Sequence, residues 1–169
     1  MKVFTILALL FAVVTASPIA KEKKYFHLQT TGAKNKELNN LFVHSYHTGA
    51  GLNDVVLAKD SDSAARVFLN GTNAQVDFKT EFPWGFVAVG DTNYASWESI
   101  KINVGYGSDG FSIKDGNFQW STEYSFGGWL VCDWFHNVPQ LFYLNRYYKP
   151  VIPSSCSKVQ LKPVYLQQK

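Results

Sequence analysis

Four carboxylates lie near aromatic residues along the sequence, and a pair of carboxylates can hydrolyse glycosidic bonds. They are Asp91, Glu98, Glu123 and Asp133. Glycoside hydrolysis requires two carboxyl groups that face each other across a cleft. Their spacing does not show that any two converge, and most acidic residues in a β-protein are solvated surface charges. A small hydrolase that acts on polysaccharide through a carboxylate pair is therefore one hypothesis, and no residue is assigned a catalytic role.

The four histidines show no spacing typical of a metal or catalytic site. His44 and His47 are three positions apart, which in a strand directs their side chains to opposite faces. A metal site would need both on one surface. His27 falls in the first predicted strand and His136 in a turn, and neither has a partner visible in the sequence. We therefore predict no metal and no cofactor.

The aromatic content favours a second hypothesis, a non-catalytic protein that binds a ligand. The chain has 13 phenylalanines, nine tyrosines and five tryptophans. Exposed rings suit the faces of sugars and other amphipathic ligands. A core filled with aromatic residues gives the same composition, because these residues favour strands, and core packing is the commoner reason. Trp129 and Trp134 fall in one predicted strand an odd number of positions apart, so we expect one of them to be exposed.

Residues 1–16 have the three parts of a secretory signal peptide. Lys2 gives a positive start, an apolar run covers residues 3–14, and Ala16 provides a small residue at the cleavage site. The run is shorter than the ~20 residues that span a bilayer as a helix. We predict cleavage after Ala16, an N-terminal tail at residues 17–24 and secretion to the extracellular space, with no membrane attachment afterwards.

The charge balance argues against a nucleic-acid partner. The formal net charge is +3, and removal of Lys2 with the signal peptide lowers it to about +2. Electrostatic binding of nucleic acid needs a clustered basic face. The one basic run, residues 21–24, lies in the predicted tail.

Cys132 and Cys156 are the only two cysteines. An isolated pair in an oxidising compartment usually forms a disulfide. We predict this bridge, which closes a loop of about 25 residues and contributes about 3.5 kcal/mol in the chain-entropy model.

Asn70-Gly71-Thr72 is an N-glycosylation sequon with an acceptable middle residue. Gly71 suits a turn, where a glycosylating enzyme can reach Asn70. We predict that Asn70 carries a glycan.

The rest of the chain alternates apolar and polar residues with the period of two that is typical of strands. Residues 25–166 are therefore predicted to form a single all-β domain, an antiparallel β-sandwich or β-barrel of about ten short strands. A helical turn is plausible only at residues 61–66. Strands are expected at residues 26–30, 41–47, 55–58, 67–70, 75–79, 85–89, 99–106, 111–114, 117–120, 129–134, 139–144 and 158–164.

The clearest local unit is a hairpin centred on Asp115-Gly116. This dipeptide separates the alternating runs 111–114 and 117–120, which predicts a two-residue type I′ turn. With Lys114 opposite Asn117, all four apolar side chains of the two runs share one face.

Seven short stretches between Tyr25 and Leu166 carry a resemblance to a known family. They are residues 47–54, 68–72, 82–85, 105–111, 127–134, 139–143 and 154–156. Through them the chain resembles a family of small secreted proteins of filamentous ascomycete fungi that carry an uncharacterised domain. The resemblance implies a fungal, extracellular protein with the Cys132–Cys156 bridge, and it supplies no functional residues.

Two hypotheses follow for the function. In the first, the secreted protein is non-catalytic and binds a glycan, a small ligand or a host component, including an effector-like role. In the second, it is the carboxylate-pair hydrolase. An exposed row of aromatic rings without a carboxylate pair favours binding, whereas two facing carboxylates in a cleft favour hydrolysis.

Overall fold

A computed structural model of the chain describes residues 22–88, 96–121, 125–147 and 149–167. The predicted signal peptide and Ser17 lie outside these residues. Within the described ranges no helix is long and apolar enough to cross a membrane. The strands are β1 (Phe26–Thr31), β2 (Phe42–Gly49), β3 (Leu52–Ala58), β4 (Val67–Asn70), β5 (Asn73–Val76), β6 (Trp84–Val87), β7 (Trp97–Ser99), β8 (Lys101–Val104), β9 (Ser112–Lys114), β10 (Asn117–Gln119), β11 (Phe126–Asp133), β12 (Pro139–Asn145) and β13 (Cys156–Tyr165).

The described part of the chain is all-β and antiparallel, as predicted. Its 13 strands join in one sheet in the order β2-β1-β4-β5-β6-β8-β3-β12-β11-β13-β10-β9, with β7 paired to β12. The expected number of about ten was low. One reason is that the predicted strand at residues 99–106 is divided at Ile100: β7 pairs with β12, whereas β8 pairs with β3 and β6.

The sheet closes on itself through two further pairings, β2 with β3 and β1 with β13. The pairings therefore run in a circuit through β1, β2, β3, β12, β11 and β13. A closed circuit of this kind is characteristic of a barrel rather than of two separate sandwich sheets. It also gives the strands an inner and an outer face.

The inner face holds the main hydrophobic core. Phe118 lies at its centre and contacts the rings of Phe26, Phe86, Phe111 and Trp129 at centroid distances of 5.4–6.4 Å. On the outer face of β11 and β12, a second and smaller cluster packs Trp97 and Ile152 over Leu130, Cys132, Phe142, Leu144 and Cys156.

The predicted hairpin is confirmed in strand register and turn type. Lys114 pairs with Asn117, and Ile113 pairs with Phe118. Asp115 and Gly116 have φ angles of 51° and 73°, the positive values that a type I′ turn requires.

Two sequence-based expectations of local structure were wrong. Residues 61–66 form turns and bends because Asp60 accepts hydrogen bonds from the backbone N–H groups of Asp62 and Ser63. A 3-10 helix lies instead at Lys36–Leu38, where the side chain of Asn35 accepts from Glu37 N. The strand expected at 75–79 ends at Val76, and Lys79 has a φ of 56°, which a regular strand does not adopt.

The predicted disulfide between Cys132 and Cys156 is present. The two cysteines are direct partners in the antiparallel pairing of β11 with β13. The sequence pattern predicted a strand that begins at residue 158. Because Cys156 pairs with Cys132, β13 begins two residues earlier, at Cys156. The bridge is buried in the smaller hydrophobic cluster, so it links the last strand to the sheet from inside a packed region.

Replacement of both cysteines by alanine should lower the free energy of unfolding by about 2–5 kcal/mol, the usual loss for a native disulfide in a small domain. Denaturant midpoints of the wild type and the double variant measure this loss, with the exposed Ser154→Ala as control. Two free thiols in the native protein, or an unchanged midpoint, would contradict it.

Gly85 allows the chain after β8 to pack directly against β6. A Cβ atom on Gly85 would lie 2.3 Å from backbone atoms of Tyr106 and Gly107, closer than real Cβ contacts come. This contact holds Tyr106 beside the outer face of β6.

We expect Gly85→Ala to destabilise the fold by about 1–3 kcal/mol, because the backbone must shift to admit the methyl group. Gly49→Ala is the matched control. Its Cβ would meet only Leu52 Cδ1, at 3.8 Å, and its effect should stay within about 0.5 kcal/mol. Equal urea midpoints for the two variants would show that the close approach is not a constraint.

Candidate functional site

A pocket of about 360 Å³ opens on the outer face of the sheet, where β3, β7, β8 and β12 meet the β11–β12 loop. Strand register explains which residues face it. Asp54 pairs with Lys101, and Ser99 pairs with Phe142, so these four side chains share the outer face. The lining residues are Asp54, Trp97, Glu98, Ser99, Lys101, Trp134, Phe135, Gln140 and Phe142.

Asp54 is the charged residue at the base of this pocket, with only 8% of its surface exposed. Lys101 Nζ donates to Asp54 Oδ1 at 2.5 Å, and His136 Nε2 lies 2.7 Å from Asp54 Oδ2. Because a carboxylate only accepts hydrogen bonds, Nε2 must carry the hydrogen in this contact. Both oxygens of the buried carboxylate are therefore paired.

The pKa of Asp54 is lowered from its usual value as a result of these contacts. Burial alone would raise the pKa, but the hydrogen bonds from Lys101 and His136, together with their charges, outweigh it. Asp54 is thus held as a carboxylate and is unsuited to act as a proton donor.

His136 links the β11–β12 loop to strand β3. Its ring stacks on Tyr46 at a centroid distance of 4.0 Å, while its Nε2 bonds to Asp54. Tyr46 and Asp54 are direct partners in the pairing of β2 with β3, so the two residues that His136 contacts lie side by side on the sheet. They restrain the loop that also carries Trp134 and Phe135.

Aromatic rings form the outer wall of the pocket. Trp134 is 52% exposed and Phe135 is 86% exposed. Trp134 packs edge-on against Phe142 with a centroid distance of 5.4 Å, which orients its indole ring. The expectation that one of Trp129 and Trp134 is exposed is confirmed, since Trp129 is buried in the core and donates to Phe118 O.

Gln140 adds a polar group to the buried base. The residue is 2% exposed, and its Oε1 has no hydrogen-bond partner among the described residues. An unpaired buried acceptor costs roughly 1–3 kcal/mol. A ligand hydroxyl that reached Gln140 would satisfy it.

Of the four carboxylates singled out from the sequence, Glu98 is the one found among the described residues that line this pocket. Asp91 and Glu123 lie outside the described residues, and Asp133 is exposed at the end of β11. Glu98 contributes to the lining, but it pairs with Tyr143, which packs in the inner core. Strand alternation therefore places the Glu98 side chain on the face opposite Asp54.

Among the described residues the histidines do not form a metal site. His27 lies in β1, as predicted, and His44 Nε2 bonds to Asp60 O at 2.9 Å. Burial, the charge of Arg66 and the charge of His44 lower the pKa of His27. In the described ranges no group of three His, Cys, Asp or Glu side chains is placed to hold a metal ion.

Sequence reasoning missed Asp54 and Lys101 and found no partner for His136. Asp54 is 47 positions from Lys101 and 82 positions from His136. No local pattern connects residues at such distances, and only the strand register brings them together.

Asp54→Asn should destabilise the protein by about 1–3 kcal/mol at neutral pH, because Lys101 and His136 lose a charged partner. A lowered folded-state pKa gives stability that is present above the unfolded pKa and is lost as pH falls through the folded one. The difference in the free energy of unfolding between wild type and variant should therefore decrease as the pH falls below about 4, the ordinary pKa of aspartate. Urea midpoints from pH 7 to pH 2 measure it, with the exposed turn variant Asp115→Asn as control. A difference that does not change with pH would contradict the role of the carboxylate.

A family model described as a domain of unknown function, DUF7907, matches residues 23–165. No curated protein and no solved structure matches the chain. The matched span begins just before β1 and ends with the last residue of β13, so it includes every described strand and all residues of the pocket. The chain therefore belongs to the DUF7907 family.

Proposed function

We propose that this chain is a secreted, non-catalytic protein that binds uncharged carbohydrate in the pocket beside Asp54. The observation that carries the proposal is the exposure of Trp134 and Phe135 around a buried polar base. Large exposed apolar groups next to polar side chains mark binding sites on soluble proteins. Sugars present an apolar face and a polar edge, which suits this combination.

The polar residues at the bottom of the pocket supply both hydrogen-bond donors and acceptors, and sugar hydroxyls can pair with both. Gln140 Oε1 offers an unused acceptor, while Ser99 and Lys101 offer donors beside it. The negative charge of Asp54 is balanced by Lys101. An uncharged sugar therefore fits better than a uronic acid or an amino sugar.

Two features favour binding over hydrolysis. Asp54 is kept ionised by its partners, so it could serve only as a base or nucleophile, and a second carboxyl group facing it would have to protonate the leaving group. Glu98 belongs to the opposite face of the sheet. Hydrolysis through a facing carboxylate pair has no comparable support from the described residues.

The proposal includes secretion and a fungal source. Residues 1–16 have the order of a signal peptide, and the Cys132–Cys156 disulfide suits an oxidising compartment. The resemblance to secreted ascomycete proteins supports both points. A host component that displays such sugars would give the protein an effector-like role.

The test is calorimetric titration with neutral oligosaccharides built from glucose, xylose, mannose or N-acetylglucosamine. The protein is purified from the medium of a eukaryotic host, where its first residue should be Ser17. We expect binding of at least one sugar, weakened tenfold or more in Trp134→Ala, which corresponds to about 1.4 kcal/mol. Tyr165→Ala, an exposed aromatic residue outside the pocket lining, should bind like the wild type.

Release of reducing ends is followed in the same samples. Binding without release supports the proposal. Failure of every sugar to bind, equal affinity in Trp134→Ala, or sustained sugar cleavage by the wild type would each overturn it.

A further inference from the structure

A second pocket, of about 280 Å³, lies on the outer face of β5 and is bordered by residues 77–83. Its lining includes Asn70, Gln75, Phe82 and Tyr106. None of these residues lines the pocket beside Asp54. The volume is slightly below the range of about 300–1,000 Å³ that is typical of pockets for drug-sized ligands.

Gln75 gives this pocket a buried polar base. The residue pairs with Phe68 on β4 and with Gly85 on β6, so its side chain lies on the outer face between them. It is 3% exposed, and its Nε2 has no hydrogen-bond partner among the described residues. Buried donors of this kind are rarely left unpaired in native proteins. A ligand with an oxygen acceptor would pair with it.

Tyr106 and Phe82 provide exposed rings at the sides of the pocket. Tyr106 is 65% exposed, and the contact between Gly85 and Gly107 holds its backbone against β6. Phe82 is also exposed and packs on Trp84 at a centroid distance of 5.8 Å. Trp84 is oriented in turn by a hydrogen bond from Nε1 to Thr80 Oγ1. The ring of Phe82 and the backbone of Tyr106 are therefore positioned without a ligand.

Asn70 lies at the edge of this pocket and is the first residue of the predicted glycosylation sequon. It ends β4, is exposed, and pairs with Asn73 across the turn formed by Gly71 and Thr72. Gly71 has the positive φ, 63°, that such a turn requires. The first sugar of a glycan attached to Asn70 would therefore lie close to Gln75, Phe82 and Tyr106.

We propose that Asn70 is N-glycosylated and that the inner sugars of its glycan occupy this second pocket. In the modification, Asn70 Nδ2 bonds to C1 of the first N-acetylglucosamine of a lipid-diphosphate-linked oligosaccharide, the lipid diphosphate leaves, and Nδ2 loses one proton. Tyr106 and Phe82 cover the apolar sugar faces, and Gln75 Nε2 donates to a sugar oxygen. The proposal rests on the secretion inferred above, and not on sugar binding by the pocket beside Asp54.

The experiment compares glycosylated and glycan-free protein secreted by a eukaryotic host. Mass spectrometry establishes whether Asn70 is modified. Glycan-free protein comes from Thr72→Ala, which destroys the sequon while keeping Asn70. We expect loss of the glycan to lower Tm by roughly 2–4 °C and to increase nitration of Tyr106, which the sugars would otherwise shield.

Tyr106→Ala separates occupation of the pocket from a general effect of glycosylation. In the Tyr106→Ala background, the decrease in Tm caused by Thr72→Ala should be less than half of the decrease that Thr72→Ala causes in the wild type. In the control background Tyr147→Ala, another exposed tyrosine outside the pocket lining, it should stay unchanged. If Tyr106→Ala does not fold, Phe82→Ala takes its place in the same comparison.

Several results would overturn the proposal. Secreted protein without a glycan on Asn70 is one, and an equal Tm loss in wild type and Tyr106→Ala is another. Binding of a free oligosaccharide that disappears in Tyr106→Ala but not in Trp134→Ala would assign the pocket to an external sugar. A dimer that dissociates in Tyr106→Ala would assign it to a second copy of the chain.

Discussion

The pairing of β1 with β13 joins the first and last described strands along six residue pairs, from Phe26 with Tyr165 to Thr31 with Gln160. Together with the pairing of β2 with β3, it closes the sheet. A closed sheet leaves fewer strand edges unpaired, and its inner face can bury aromatic side chains away from water on all sides. The Cys132–Cys156 bridge acts on the same arrangement, because it fastens the beginning of β13 to β11.

Closure also decides where polar groups can be placed. Along each strand the side chains alternate between the packed interior and the outer face. Asp54 and Gln75 both belong to the outer face, yet both are buried, because loops and neighbouring side chains cover them. Each marks a pocket, and each pocket has exposed aromatic rings at its edge. In the first pocket Asp54 is paired with Lys101 and His136. In the second pocket the Nε2 donor of Gln75 has no hydrogen-bond partner among the described residues.

The two pockets differ in how their rings are held. Trp134 and Phe135 lie on a loop that His136 ties to Asp54 and Tyr46, so that their position depends on side-chain contacts. Tyr106 is held by the close backbone approach of Gly85 and Gly107, which leaves no space for a side chain between them. The first arrangement includes the ionised Asp54, whereas the second combines this backbone contact with the packing of Phe82 on Trp84.

Local chemistry in the sequence was sufficient to predict the all-β class, the Asp115-Gly116 hairpin with its register, and the cysteine bridge. Each depends on residues that are close along the chain or on a single possible partner. Alternation could not show that the run containing Ile100 divides between two partner strands, or that β13 begins at its own disulfide. The Asp54, Lys101 and His136 cluster depends on register between strands far apart in sequence, and the Gln75 pocket gains Tyr106 only because the chain after β8 packs against β6. Only the tertiary structure could decide these, because a shift of one residue in any pairing would turn the same side chains to the opposite face.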